Sequence, residues 1–324
     1  MNVRRHLIPT AAVTALGLAA LTACSTDGSA AAGNTDKFDV VASFYPMQYL
    51  AEQIGGDHVN VSTLTEPGQE PHDLELSARQ TAQLGEADAV LYLKSLQPAV
   101  DEAVAQSEVG TKIDAASLTG LEDHGDIEHS HEGEDAAAEE PPADESGAAD
   151  PALDPHVWLD PVKYAQIADG VGAAFEKADP DHAADYRKNT AALVDKLGDL
   201  NTRFTEGLQN TDTKVFFTNH AAFGYLAERY GLTQEAINGL DPESEPTPAR
   251  IKELQDEAKA DGVTTVFYET LVSDETAKTL AADAGLKTDV LDPLEGITDK
   301  SRGDDYIQVM DANLAALQKA LGSA

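Results

Sequence analysis

The chain has 324 residues, of which 58 are acidic and 22 basic, for a formal net charge of −36. An acidic balance of this size excludes nucleic-acid binding, which needs a basic patch, and it raises the local concentration of cations. Cys24 is the only cysteine, so neither an internal disulfide nor a thiolate metal cluster is available.

The N-terminus carries Arg4 and Arg5, then an apolar run from Leu7 to Ala23. A basic head with a short apolar core has the form of an export signal. The run is short for a membrane span and contains Pro9 and Gly17. Leu21-Thr22-Ala23-Cys24 resembles a bacterial lipobox, in which residues 1–23 are removed and Cys24 is acylated as the first mature residue. A lipid on Cys24 would hold a soluble domain at the outer face of the cell membrane without spanning it. The ordinary alternative is a stray thiol. Residues 24–36 are small and polar and have the composition of a flexible leash.

From Lys37 onward, strands alternate with helices. Phe38–Phe44 is an apolar run with strand character. Tyr45–Ile54 places Met47, Leu50, Ala51 and Ile54 at helical spacing, and Gly55-Gly56 closes it as a C-cap does. Val59–Leu64 is a second strand. Ser77 and Gln80 form a capping box ahead of another helix. Ala89–Leu93 is a third strand, and Gln97–Gln106 a third helix. Such alternation predicts parallel βαβ units with right-handed crossovers. Residues 121–150 interrupt it with twelve acidic residues, no lysine or arginine, and His124, His129 and His131. That composition predicts a disordered insertion.

Beyond it, Pro161–Lys177 is helical, and Asp179-Pro180 marks a break. Asp181–Leu208 has Leu193, Leu197, Leu200, Phe204 and Leu208 at spacings of three or four. As one helix it would run roughly 42 Å, long enough for a rigid strut. The alternation then resumes with strand Val215–Thr218, helix Ala221–Tyr230, a helix from Thr247-Pro248 to Ala260 and strand Val263–Tyr268. Helix Ser273–Ala284, strand Lys287–Leu291 and helix Tyr306–Leu321 follow. The expected fold class is α/β: an N-terminal lobe over 37–178, a linking helix over 179–210 and a C-terminal lobe over 211–324.

Four side chains stand in turn contexts that look built to hold them: His72 in PGQEPHD, His156 in DPHVWLDP, His220 in FFTNHAAFGYL and Asp292 in VLDPLEG. They are too far apart for any local motif, so only a folded domain can unite them. His72, His220 and Asp292 all follow predicted strands, and open α/β sheets bind ligands at those carboxyl ends. His156 lies where one lobe would meet the other. Three imidazoles and a carboxylate make a closed shell for Zn2+, whereas manganese, magnesium and calcium prefer oxygen. Each residue alone could be an ordinary surface or turn residue; the shared location gives the set its weight. Trp158 is expected to pack beside His156. Glu269 and Glu70 could serve as outer carboxylates or a substitute ligand, though a surface or salt-bridged acid is the favoured reading for both. His124, His129 and His131 could form an accessory metal loop or be incidental.

The order of lipobox, PGxxPH, DPHxWLDP, long helix, NHAAFGYLAERYGL and LDPLEG is similar to the metal-receptor lipoproteins of bacterial ABC importers, in their zinc-specific, ZnuA-like branch. The resemblance runs from Phe38 to the C-terminus. It implies two Rossmann-like lobes with parallel sheets, joined by a rigid backbone helix, and an interlobe metal site at His72, His156, His220 and Asp292. The third position resembles glutamate in manganese-type relatives, so His220 points to zinc. It further implies an extracytoplasmic zinc receptor that performs no catalysis, with an ABC permease and its ATPase as partners. The chain would be a monomer. The alternatives are a receptor for manganese or another divalent metal, an adhesin of the same fold, and a zinc hydrolase. No HExxH motif supports the last.

Overall fold

The computed structural model describes residues 37–124 and 153–323. The export signal, Cys24, the leash, His129 and His131 lie outside the described residues, as does the acidic stretch from 125 to 152.

The first half runs β1 (Phe38–Ala42), α1 (Tyr45–Gly55), β2 (Val59–Thr63), α2 (Ala78–Glu86), β3 (Ala89–Tyr92), α3 (Pro98–Gln106), β4 (Thr111–Asp114) and a one-turn α4 (Ala116–Thr119). Its four strands are parallel in the order β2-β1-β3-β4. After α5 (Pro161–Ala178) and the 26-residue α6 (Ala183–Leu208) comes the second half. It consists of β5 (Val215–Thr218), α7 (Gly224–Tyr230), β6 (Thr233–Ala236), α8 (Pro248–Ala260), β7 (Thr265–Tyr268), α9 (Glu275–Ala284), β8 (Lys287–Val290) and α10 (Tyr306–Leu321). Its strands are also parallel, in the order β6-β5-β7-β8. The two sheets therefore share one topology, and in each the strand order reverses beside the first strand. That reversal opens a crevice at the strands' carboxyl ends.

Local chemistry sets the element ends. Ser77 accepts from the Gln80 amide, and Gln80 Oε1 accepts from the Ser77 amide, so the capping box forms. Gly56 closes α1 with φ +54°, a conformation that costs glycine little. Asp160 caps α5 by accepting from the Val162 amide, with a proline at the first helical position.

Three features depart from the sequence expectation. β4 and β6, four-residue edge strands with a single buried residue each, Ile113 and Ala236, have no counterpart among the expected strands. The helix expected from Ala221 begins at Gly224. The chain before it bends and is held out of the helix, with Asn219 O accepting from Asn238 N and Ala221 N donating to Gly239 O. Finally, a separate 3-10 turn, Pro180–His182, precedes α6.

The two halves share one apolar core. Phe44, Trp158 and Tyr164 from the first half join Leu197 and Phe204 of α6 and Phe216, Leu291 and Tyr306 from the second. α6 packs against α5 and α1 along one stretch and against α10 along another. It is a spine gripped by both halves rather than a bare strut between them.

Candidate metal centre

Four strand ends deliver a side chain to the crevice. His72 sits in the loop after β2, His220 two residues after β5, Glu269 directly after β7, and Glu295 in the loop after β8. His156 opens the 3-10 turn Val157–Leu159 ahead of α5.

The Nε2 atoms of three histidines converge on one carboxylate oxygen. Glu295 Oε1 lies 3.1 Å from His156 Nε2, 3.2 Å from His72 Nε2 and 3.5 Å from His220 Nε2. His156 Nε2 lies 3.3 Å from His72 Nε2 and 3.5 Å from His220 Nε2. All four candidate ligand atoms fall within 4.8 Å of one another. Donors about 2.0–2.1 Å from a tetrahedral zinc ion would stand roughly 3.3 Å apart, and five of the cluster's six donor–donor distances, at 3.1–3.5 Å, match such edges. Bare imidazole lone pairs and a carboxylate at these distances repel unless a cation or protons sit among them. Glu295 Oε2 is buried without a hydrogen-bond partner among the described residues, which also fits a cation-binding carboxylate.

Outer hydrogen bonds aim the rings. His156 Nδ1 is 2.7 Å from Asp154 Oδ1, which also accepts from the His156 amide at 2.9 Å. His220 Nδ1 is 2.7 Å from Glu269 Oε1, an oxygen that also accepts from the Asn219 side chain. A carboxylate on Nδ1 fixes the tautomer and leaves Nε2 as a ligand. Glu70 Oε1 accepts from the His72 amide at 3.0 Å. The Trp158 ring packs beside His156 with centroids 5.3 Å apart, and its indole N–H donates to Pro293 O at 2.7 Å, tying the His156 turn to the Glu295 loop.

The electrostatics reflect this crowding. Burial alone would lower the His156 and His220 pKa values. The hydrogen bonds and charges of Asp154 and Glu295 raise that of His156, and those of Glu269 and Glu295 raise that of His220 further. Burial opposes ionisation of Glu295, yet its hydrogen bonds to the three imidazoles hold it well below the usual carboxylate range. Glu70, with burial first and the Glu295 charge second, is pushed up to about 9. His156, His220 and Glu295 are buried, while the His72 side chain keeps 13% of its exposure, so His72 is the member of the cluster that meets solvent. A pocket of about 370 Å³ opens between Pro67 and Gly68 of the His72 loop and Thr270, Thr298 and Lys300 of the second half.

One sequence assignment changes. The structure places Glu295, not Asp292, with the histidines. Asp292 Oδ1 turns back to accept from the Leu294 amide at 2.9 Å, and its Oδ2 accepts from the Thr270 hydroxyl at 3.4 Å. That turn, with Leu294 at φ +60°, sends the next residue into the crevice. Glu269, for which the sequence offers an outer carboxylate or, by preference, a surface or salt-bridged acid, is buried and paired with His220 Nδ1. Asp154 was not singled out in the sequence, although its place two residues before His156 is a usable signal. His124 lies outside this cluster.

The family model for "Zinc-uptake complex component A periplasmic" matches residues 40–320. The zinc-binding lipoprotein AdcA of Streptococcus pneumoniae strain R6 is 35% identical over 92% of this chain, and the match covers 58% of AdcA, so the chain spans little more than half that relative's length. The high-affinity zinc uptake system protein ZnuA of Bacillus subtilis is 34% identical over 92% of this chain and 91% of its own. Among solved structures, the Zn(II)-bound ZnuA-like domain of Streptococcus pneumoniae AdcA superposes with a TM-score of 0.70 at 34% identity, covering 88% of this chain and 99% of that one. With the matched region spanning both sheets and every residue of the crevice cluster, the chain belongs to the ZnuA family.

Proposed function

We propose that the protein is the zinc-capturing receptor of an ABC uptake system, binding one Zn2+ between its two sheets and passing it to a membrane permease driven by an ATPase. The observation that carries this reading is the set of three Nε2 atoms and one carboxylate oxygen, five of whose six pairs lie 3.1–3.5 Å apart. Three nitrogen donors favour zinc over manganese or calcium. The closed set of four protein donors leaves no position for a reacting water, which supports binding rather than hydrolysis. The zinc-binding and zinc-uptake names of AdcA and ZnuA support the same cargo. The lipobox-like run ending in Cys24 and the lipoprotein name of AdcA support an extracytoplasmic, lipid-anchored location.

Capture follows from the layout. A cation drawn by the acidic surface would meet His72 first, at the solvent side of the cluster. The buried His156, His220 and Glu295 would complete its shell. Binding would displace protons from the imidazoles, and reprotonation would favour release.

Competition of the purified chain with a calibrated chelator tests the proposal. We expect one tightly held equivalent of zinc and much weaker retention of manganese. A preference for manganese, or no tight zinc, overturns it. For delivery, uptake of radioactive zinc by cells lacking the gene should return with the wild-type chain and not with H220A.

A further inference from the structure

Asp154 is fully buried, and each of its carboxylate oxygens meets a different imidazole. Oδ1 pairs with His156 Nδ1 at 2.7 Å, and Oδ2 lies 3.2 Å from His124 Nδ1. The far nitrogen of His124, Nε2, lies 3.0 Å from Glu228 Oε2. An ionised carboxylate can only accept hydrogen bonds. Both nitrogens of His124 therefore donate, and the ring keeps no lone pair for a cation. Its pKa agrees: burial alone would lower it, and the hydrogen bonds and charges of Asp154 and Glu228 raise it. The contacts form one line, Glu228 to His124 to Asp154 to His156, from the surface to the crevice.

The surroundings hold His124 against Asp154. Its ring stands edge-on to Tyr225 with centroids 4.3 Å apart. The Tyr225 hydroxyl accepts from the Glu122 amide at 2.7 Å and donates to Asp154 O at 2.8 Å. Asp154 N donates to Glu122 O at 2.8 Å, so the segments bearing His124 and His156 are stapled together. Gly224 leaves room for the pair: a Cβ there would sit 2.5 Å from His124 Cβ and 2.9 Å from Asp154 Oδ2.

We infer that His124 is a positioning residue for the crevice: by donating to Asp154 Oδ2 it keeps Oδ1 aimed at His156 Nδ1, and so keeps His156 Nε2 turned to the cation. The inference rests on the crevice reading and adds to it a residue that touches no cation itself. Without the His124 donor, Oδ2 would be buried and unpaired, and the carboxylate would be free to turn. A turned carboxylate no longer fixes the His156 ring or its tautomer. His156 would then hold the cation less well although its own side chain is unchanged.

The test compares the full chain with H124N, H124Q and H124A. The amide nitrogen of asparagine can stand where Nδ1 does and that of glutamine where Nε2 does, so H124N keeps the donor to Asp154 and H124Q loses it. NMR of the metal-free protein with ¹⁵N-labelled histidine reads the His156 Nδ1–H group, assigned by its absence in H156Q. We expect one Nδ1–H signal shared by the wild type and H124N, and a shifted or broadened one in H124Q and H124A. Zinc affinity, by competition with a chelator, should fall about tenfold in H124Q and H124A, the low end for partners behind a ligand, and stay within about twofold in H124N. One equivalent should still bind in every variant. An Nδ1–H signal that ignores all three substitutions, equal losses in H124N and H124Q, or unchanged affinity in H124A overturns the inference. A wild-type chain without tight zinc overturns the crevice reading instead, and the metal-free signal then decides the role of His124 alone.

Discussion

Glu295 and Asp292 stand three residues apart in one loop, and the fold gives them different work. Glu295 faces three imidazoles, while Asp292 holds the turn that aims it. We therefore expect E295Q to weaken zinc binding by about 100-fold or more, beyond the 10–100-fold typical of outer partners. D292A should cost less affinity and show mainly as about 1 kcal/mol of lost stability, the worth of one turn hydrogen bond. Equal losses of affinity would place Asp292 among the ligands after all. Protons are the second lever at this scale. His156 and His220 have raised pKa values, so their stabilising contribution to the metal-free protein is full below about pH 6.5 and fades as pH rises through the raised values. Glu295 is depressed, so its contribution is present above about pH 4.3 and is lost as pH falls through its lowered value. Zinc needs the deprotonated rings. Calorimetry in buffers of different ionisation enthalpy should thus show proton release on binding at pH 7, with affinity falling towards pH 5. Binding that is indifferent to pH would rule out the imidazole shell.

At the level of elements, the β8–α10 loop depends on one buried side chain of the last helix. Asn313 on α10 accepts from the Asp292 amide at 2.9 Å and donates to the Asp292 carbonyl at 2.7 Å. N313A would leave both backbone groups buried and unpaired, at a cost of about 2 kcal/mol or more. Thermal unfolding should report that loss, and zinc affinity should fall with it because Glu295 lies on the loosened loop. A variant with an unchanged melting temperature would show that water substitutes for the amide. Trp158 makes the matching tie from the other side, donating to Pro293 O while its own carbonyl accepts from the Tyr306 hydroxyl at 2.5 Å. The two turns that carry His156 and Glu295 are thereby set against each other before any cation arrives.

Across the whole molecule, the shared core limits how the halves can move. Opening the crevice by a hinge would pull Trp158 and Tyr164 away from Tyr306, which packs on Tyr164 with centroids 4.6 Å apart. Buried apolar contacts of this kind resist separation because each exposed square ångström costs about 25 cal/mol. We expect the radius of gyration of the metal-free and zinc-loaded forms to agree within about 1 Å by small-angle scattering, as in other preorganised binders. A compaction of several ångströms on adding zinc would show that the halves part freely.

The amino-acid sequence by itself determined the α/β alternation, the long amphipathic helix and the contexts of three histidines. These are local properties: apolar spacing, caps, and prolines before His72 and His156. It left β4 and β6 unmarked, since TKID and TQEA each hold a single apolar residue and so show neither an apolar run nor an alternation. Tertiary structure alone decided which acid faces the histidines. In LDPLEG two carboxylates are equally placed along the chain, and the choice rests on the Asp292 turn, the φ of Leu294 and the Asn313 clamp from α10. Burial of Glu269 against His220 likewise follows from β5 and β7 being neighbours in the sheet. Residues far apart in sequence share a cation only when strand order makes them adjacent, and strand order is a property of the packed chain.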